Sequence, residues 1–471
     1  MKARIIYLII LFFILPTSIE AQPIELAVAA ELNLNEPIGQ LRAVPLQIGD
    51  QKNICAMHST DAEIDPYIGM FFFPKSTLKL TTFSEKGKVL WKKDLGPGVV
   101  PGIWFSPIFS FDLDQNGTDE IYLIGNKDPE HPMDYRQYVL QRLEAASGKV
   151  TGEWPWPKPI GTQSMSHTYR HFIFGGMAGD EPVLITAQGT YGVMALQGWN
   201  SDMSLRWEKK IDDEGPAGSH VSPVVDLDQD GNDEILWGER AISVNDGKEL
   251  FCVDSWPGHS DIVQPVYDYQ DKKWYIHTCR ESHNDVSPRI VTFDASGRQV
   301  WGDLDQGHID TGWSARLGEK REPVVLGVRV GAKVRTAEGE KRLDVEEFTY
   351  HAVSGKPVDL GFDVYTSIPV DLNGDGRHEL VKGYFEGNGD VLSGKGKKLG
   401  NIGGFSAMAS KFTSLPGEQI LSYSKDGTIR IWYDKNAKDG KEAKERYANP
   451  FYRINQRQTG NGYNLFTLGG I

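Results

Sequence analysis

One pattern narrows the possible folds of this chain more than any other feature: a short apolar strand, an acidic turn, and a second apolar strand. It occurs as Phe111-Asp-Leu-Asp-Gln-Asn-Gly-Thr-Asp-Glu-Ile121, as Val225-Asp-Leu-Asp-Gln-Asp-Gly-Asn-Asp-Glu-Ile235 and as Val370-Asp-Leu-Asn-Gly-Asp-Gly-Arg-His-Glu-Leu380. A second motif alternates with it, a hairpin whose turn holds Gly beside Ser or Asp. Its copies lie at Ser84–Trp91, Ser147–Val150, Asp246–Leu250, Ser296–Trp301, Ser354–Lys356 and Asp426–Trp432. The glycine supplies the positive φ that a tight turn between two strands requires, and the residues beyond it are alternating β-formers.

The two motifs together recur at roughly 40–60 residues, the span of a four-stranded propeller blade. A blade cannot bury both faces alone, so blades must stack radially into a ring. The pattern therefore predicts an all-β fold, a single β-propeller of four-stranded blades. Innermost strands are expected to begin near Leu41, Trp104, His167, His220, His259, Asp310, Tyr365 and Phe405. That gives eight blades, or seven if one unit is a partial blade or a closing strand. No stretch shows the sustained i, i+3, i+4 stripes of a helical solenoid.

Residues 1–21 read as a signal peptide and 22–471 as the propeller. Lys2 and Arg4 precede an unbroken apolar run from Ile5 to Leu15, and Ala21 suits the cleavage position. The run is too short to span a membrane, and no later segment approaches about eighteen apolar residues. The expectation is a secreted or periplasmic monomer with no membrane span. Cys55, Cys252 and Cys279 are too few for a disulfide framework. A net charge of −14 argues against nucleic acid as a partner. It would also repel an acidic polysaccharide, so a site for one must carry its own cationic groove.

The acidic turns place oxygen donors at alternate positions: Asp112, Asp114, Asn116 and Glu120; Asp226, Asp228, Asp230 and Glu234; Asp371, Asn373, Asp375 and Glu379. Such donors around a glycine suit Ca²⁺, without the flanking helices of an EF-hand. The same residues can instead cap backbone amides in a polar turn. A softer set is His259 in PGHSD, His308 at the same place one blade later in QGHID, and Cys279 between them. Two imidazoles and a thiolate are a zinc-like set, with His277 and His283 as rival ligands; the alternative is that Cys279 is a small core residue.

Four segments between Trp104 and Trp313 resemble the propeller-fold polysaccharide lyases, particularly the rhamnogalacturonan lyases and more loosely the ulvan lyases. Ala187-Gln-Gly-Thr-Tyr191, leading to Leu205-Arg-Trp207, is similar to that family's Arg-Gly-Tyr-Tyr strand. Gly218-Ser-His-Val221 resembles its Gly-Asn-His-Asn, and Gly258-His-Ser-Asp261 its Gly-His-Gly-Asp. Ile276-His-Thr-Cys279 stands where the family has a metal-binding Val-His-Glu, and Tyr452–Asn464 is a weaker echo. Gln188 stands where the family has Arg, and Cys279 replaces an oxygen ligand, which favours zinc there. The short single-propeller form is more like the ulvan type, which uses a His and Tyr pair.

The resemblance implies β-elimination from a rhamnose-uronate glycan, leaving an unsaturated uronate end. That chemistry needs a base and an acid of the Tyr or His type and a cation to take up charge on the uronate carboxylate. Ser166-His-Thr-Tyr-Arg-His171 opens an expected inner strand, and Tyr191 ends the next strand of the same blade. The expectation is Tyr191 and His167 as base and acid, Arg170 as neutraliser and His220 as their neighbour from the next blade. Asn126 would orient the carboxylate, and Trp104, Trp199 and Trp313 would stack sugar rings. The alternatives are a non-catalytic calcium-loop propeller that binds glycan or protein, and a glycoside hydrolase with paired carboxylates.

Overall fold

The computed structural model describes residues 23–67, 69–158, 164–212, 215–253, 258–281, 287–317, 321–336, 339–384 and 388–471. The expected signal segment and His283 lie outside them. The described residues form eight antiparallel sheets, seven of four strands and one of three. Their first strands in chain order are Gln40–Ile48, Ile108–Phe111, His171–Ala178, Val224–Val225, Ser260–Asp268, His308–Arg316, Ser367–Val370 and Phe405–Ser410. Each begins within four residues of the position expected from the repeat. We number the sheets as blades 1 to 8 in that order.

Blade 8 is completed from the other end of the chain. Leu26–Asn33 pairs with Thr428–Asp434, from Leu26 opposite Asp434 to Asn33 opposite Thr428, and covers an outer edge that would otherwise template aggregation. Blade 6 is the three-stranded one. Its second and third strands, Pro323–Thr336 and Gly339–His351, form a long hairpin, and its outer edge is reduced to a bridge between Tyr350 and Pro357.

A tryptophan in the outermost strand of blades 1, 3 and 5 has a specific task. Trp91 lies over Gly148 of the next blade, where an added Cβ would meet the indole at 2.7 Å, and its Nε1 donates to the Ala145 carbonyl at 2.8 Å. Trp207 treats Gly247 and Val244 in the same way, and Trp301 does so with Gly355 and Ala352. A turn glycine therefore serves twice: it takes the positive φ of the turn and leaves room for the preceding blade's indole.

The channel of the ring is filled by the chain's last stretch. The short helices Lys441–Ala448 and Pro450–Asn455 lead into a coil running to Ile471 that packs against the inner strands. At eight and six residues, these helices are too short for a periodicity to register. Inner strands present backbone groups that no further strand can pair, and asparagines answer them. Asn455 bonds both the N–H and the carbonyl of Val224; Asn461 accepts from the Ile173 N–H at 2.9 Å and donates to the Ile108 carbonyl at 3.2 Å. Asn461→Ala orphans two buried backbone groups at about 1–3 kcal/mol each. A loss of about 2–6 kcal/mol in chemical denaturation is expected; a loss below 1 kcal/mol would mean the plug is not part of the cooperative core.

Candidate active site

The inner strands all start at one mouth of the ring, and a cavity of about 740 Å³ opens there. Arg170, Tyr191, His220, Glu281, His308, Lys333, Arg342 and Tyr463 line it, with Asp65, Tyr67 and Met70 from blade 1 and Ser164–Ser166 before blade 3. Blades 1, 3, 4, 5 and 6 and the channel plug thus converge on one space. The Tyr463 N–H donates to the His220 carbonyl at 2.8 Å, which fixes the plug against blade 4.

Tyr191 Oη lies 3.0 Å from His220 Nε2. On the other side of that ring, His220 Nδ1 lies 2.9 Å from Asp261 Oδ1. Burial lowers the pKa of His220 against the opposing pull of Asp261, so the imidazole is neutral near pH 7. Burial also raises Tyr191, with Arg170 opposing, so the phenol keeps its proton. Arg170 stacks 4.4 Å from the Trp104 ring centroid and 5.1 Å from that of Tyr191. It faces Asp65 at 3.4 Å, and its buried Nη1 has no hydrogen-bond partner.

Behind this pair lies a cluster of acids and imidazoles. Glu281 bonds both His259 Nε2 and His308 Nε2. His259 lies 3.5 Å from Asp261, and His308 lies 3.1 Å from Asp310. Burial opposes protonation of both histidines, but Asp261 and Glu281 hold His259 up to about 9, and Asp310 and Glu281 hold His308 up to about 9. Two local irregularities create the cluster. The ladder of blade 5 shifts register between Ser260 and Ile262, and that of blade 6 between Ile309 and Thr311. Asp261 and Asp310 are the bulged residues, and a bulge turns a side chain away from the alternation of its strand.

Donor atoms of His220, His259, Asp261 and Glu281 lie within 4.8 Å of one another. His220 Nδ1 and Asp261 Oδ1 are both buried and face each other at 2.9 Å, with neither in a hydrogen bond of good geometry. Two nitrogens and two carboxylate oxygens converging on orphaned buried atoms fit a divalent cation.

The structure corrects several expectations. Cys279 is not part of the cluster: its Sγ packs in the core, 3.6 Å from His277 Nε2 and 3.7 Å from the Leu326 carbonyl. Burial raises the Cys279 thiol, and its sulfur is not among the donor atoms that converge here. The chain leaves regular pairing after Arg280, so Glu281, two residues on, supplies the donor instead. His277 is buried against Leu326 and is no ligand there. His167 lies on the short helix Met165–Thr168, with its Nε2 2.9 Å from the Val193 carbonyl, and is absent from the cavity lining. Asn126 braces a loop by donating to the Gly98 carbonyl and accepting from Asp128 N–H. Trp199 is buried and donates to Thr186 Oγ1, and Trp313 is a core residue at 2% exposure, so neither can stack a sugar. Trp104 is equally buried, beneath Arg170.

Asp65, Tyr67, Asp261, Glu281, Asp310, Lys333, Arg342 and Tyr463 were not singled out from sequence. A signal existed for two of them. Gly258-His-Ser-Asp261 and Gly307-His-Ile-Asp310 are the same Gly-His-x-Asp in neighbouring blades, carrying both the histidine and the acid.

The three acidic turns repeat one hydrogen-bond scheme. Asp112, Asp226 and Asp371 each accept from N–H groups four and five residues on. Glu120, Glu234 and Glu379 reach back to the N–H of Leu113, Leu227 and Leu372. Asp114, Asp228 and Asn373 accept from the residue two on, as do Asn116, Asp230 and Asp375. Among the described residues, only the second turn brings three carboxylates within 4.8 Å: Asp226, Asp228 and Glu234. In the third turn, Arg377 occupies Asp375 at 2.7 Å. Burial pushes Glu234 up to about 8 and Asp371 up to about 7.

Comparison with known proteins places this geometry. Residues 174–347 match the family model described as rhamnogalacturonan lyase family 11, C-terminal domain. The rhamnogalacturonan endolyase YesW of Bacillus subtilis (strain 168) is 22% identical over 402 residues, covering 69% of this chain and 61% of that protein. The exolyase YesX of the same organism is 23% identical over 281 residues, covering 50% of this chain and 45% of that protein. The chain thus spans about three-fifths or less of these relatives' length. The crystal structure of YesX aligns with 92% of this chain and 80% of its own at a TM-score of 0.71 and 16% identity. A Bacillus licheniformis family 11 lyase does so over the same shares at 0.72 and 17%. The matched segment holds Tyr191, His220, His259, Asp261, Glu281 and His308, so the part of the chain that is similar to the C-terminal domain of the family 11 rhamnogalacturonan lyases is a part that lines the cavity.

Proposed function

We propose that this protein is an exported polysaccharide lyase that cleaves a rhamnose-uronate glycan of the rhamnogalacturonan type by β-elimination. The observation that carries the reading is the Tyr191–His220 hydrogen bond at the wall of a cavity lined by Arg170, Lys333 and Arg342. His220, neutral and held from behind by Asp261, draws the phenolic proton as Tyr191 Oη takes the C5 proton of the uronate. The C4–O bond then breaks, a C4–C5 double bond forms, and Tyr191 returns a proton to the departing oxygen on the same face. Arg170, stacked against the Tyr191 ring at the cavity wall, offers its positive charge to the uronate carboxylate, where negative charge develops. His220, His259, Asp261 and Glu281 would hold a divalent cation, which when bound would add positive charge close to the same carboxylate.

A glycosidase would need two carboxyl groups at liberty. The two that line the cavity are engaged, Asp65 with Arg170 and Glu281 with His259, His308 and Lys333. The test is to incubate the protein with rhamnogalacturonan and with ulvan while following the ultraviolet absorbance of an unsaturated uronate. Absorbance on rhamnogalacturonan is expected. New reducing ends without absorbance would mean hydrolysis, and binding without either product would mean a non-catalytic propeller.

The acidic turns are proposed to hold Ca²⁺, the second most firmly. With a chelator present, Glu234 and Asp371 are protonated in the fold well above the pH at which they ionise in the unfolded chain. Their contribution is then complete below about pH 4 and is lost as pH rises through about 7 to 8. A Tm that falls between pH 5 and 8 in chelator, and stays level in Ca²⁺, is expected. At a hundredfold excess over Kd, one site adds about 2.7 kcal/mol. Identical profiles with and without Ca²⁺ would reduce the turns to backbone caps.

A further inference from the structure

We infer that Lys333 and Arg342 form a clamp for a second carboxylate of the acidic glycan, distinct from the one beside Tyr191. The inference rests on the reading of this cavity as a site for a uronate polymer. The two residues are direct register partners on the long hairpin of blade 6, so their side chains leave the same face of the ladder side by side. Both line the cavity. Their shared counter-ion, Asp310, is fully buried and does not line it. Lys333 Nζ and Arg342 Nε both bond to Asp310, so the cationic heads stand between a buried acid and open space.

That arrangement is a preorganised anion site: the inner acid fixes the two cations at the wall of the cavity. A guanidinium keeps further N–H groups after one bond to a carboxylate, and an ammonium carries three donors. The position also carries the donor set of a metal site. Asp261, Glu281, His308 and Asp310 offer donor atoms within 4.8 Å. The Lys333 ammonium bonds Asp310 and lies 3.3 Å from Glu281 Oε1, so lysine supplies the positive charge on this side of the cluster. Arg170, by contrast, enters from the start of blade 3 and is committed to Trp104, Asp65 and the neighbourhood of Tyr191. The two cationic centres come from blades 3 and 6. A chain of net charge −14 needs such local cations to admit a polyanion at all.

Arg342→Gln and Lys333→Gln test the clamp. Affinity for rhamnogalacturonan oligosaccharides and for their carboxyl-reduced counterparts is measured by calorimetry, alongside kinetics on the polymer. Each substitution is expected to weaken binding of the acidic oligosaccharide about 10-fold to 100-fold, the loss of a charged hydrogen bond. Binding of the reduced form should not change, and KM should rise with little change in kcat. Arg342→Lys, which keeps the charge, should recover part of the affinity. Equal losses on acidic and reduced ligands, or unchanged affinity for the acidic one, would overturn the clamp. Lys333 is exposed enough for its variant to fold if Arg342→Gln does not. Wild-type binding of acidic oligosaccharides with clamp-dependent affinity but no unsaturated product would sink the lyase reading alone. Normal cleavage by an Arg342→Gln enzyme of undiminished affinity would sink the clamp alone.

Discussion

Tyr191→Phe lowers turnover of the acidic glycan by about 10³-fold, the scale of one lost proton-transfer group, with KM and Tm close to those of the wild type. The substitution removes one oxygen and leaves the ring, which packs edge-on against His259 at a centroid distance of 4.7 Å and under Arg170 at 5.1 Å. His220 Nε2 then faces the cavity, where water can take the place of the phenol, so the fold loses little. The paired control is His167→Ala. Its imidazole is tied to Val193 and lies off the cavity lining, so its removal should leave turnover within a few-fold of the wild type. Full activity in Tyr191→Phe would remove the phenol from the chemistry. A collapse in His167→Ala with an unchanged Tm would reinstate the pairing expected from sequence. Single-turnover absorbance measurements with both variants at matched concentration decide between these outcomes.

The second large effect belongs to Asp261→Asn. This carboxylate is buried at 1% exposure and faces His220 at 2.9 Å and His259 at 3.5 Å. An amide there keeps the shape but loses the charge, and its NH₂ group cannot accept from the imidazole N–H groups that the carboxylate faces. Three losses follow together: a ligand of the proposed cation, the group that sets the tautomer of His220, and one of the two charges that hold His259 up to about 9. Loss of a carboxylate that only supports a ligand already costs about 10–100-fold in metal affinity, and Asp261 is one of the converging donors, so at least that loss is expected. Turnover should fall at least as far and be partly restored by excess divalent ion. Elemental analysis of the purified variant, with turnover titrated against added Ca²⁺ and Mn²⁺, reads both effects. Wild-type metal content and turnover would show that Asp261 is a structural counter-ion and nothing more.

The propeller was legible because its determinants are local. A glycine in a tight turn, an alternating strand and an acidic turn each report on a few neighbouring residues, and their repetition located eight inner strands to within four residues. Tyr191, Arg170 and His220 were legible for the same reason: each sits just outside a strand end, where side chains face the mouth. The failures have a common cause. Cys279 and His277 keep the alternation of their strand and point into the core, whereas Asp261 and Asp310 sit on bulges, and a bulge leaves no mark in a period-two pattern. Trp199 and Trp313 were misassigned because an aromatic residue in a strand looks the same in sequence whether it faces a sugar or the packed interior.

By itself, the sequence determined the architecture, the place of each blade, the oxygen-rich turns and the mouth at which chemistry could occur, since all of these depend on spacing along the chain. Only the tertiary structure decided which residues meet. Asp65, Tyr191, Glu281, Lys333 and Tyr463 come from blades 1, 3, 5 and 6 and from the plug, separated by up to about 400 positions. Their proximity is a product of ring closure, two strand bulges and one returning segment, and none of these is written in the order of neighbouring residues.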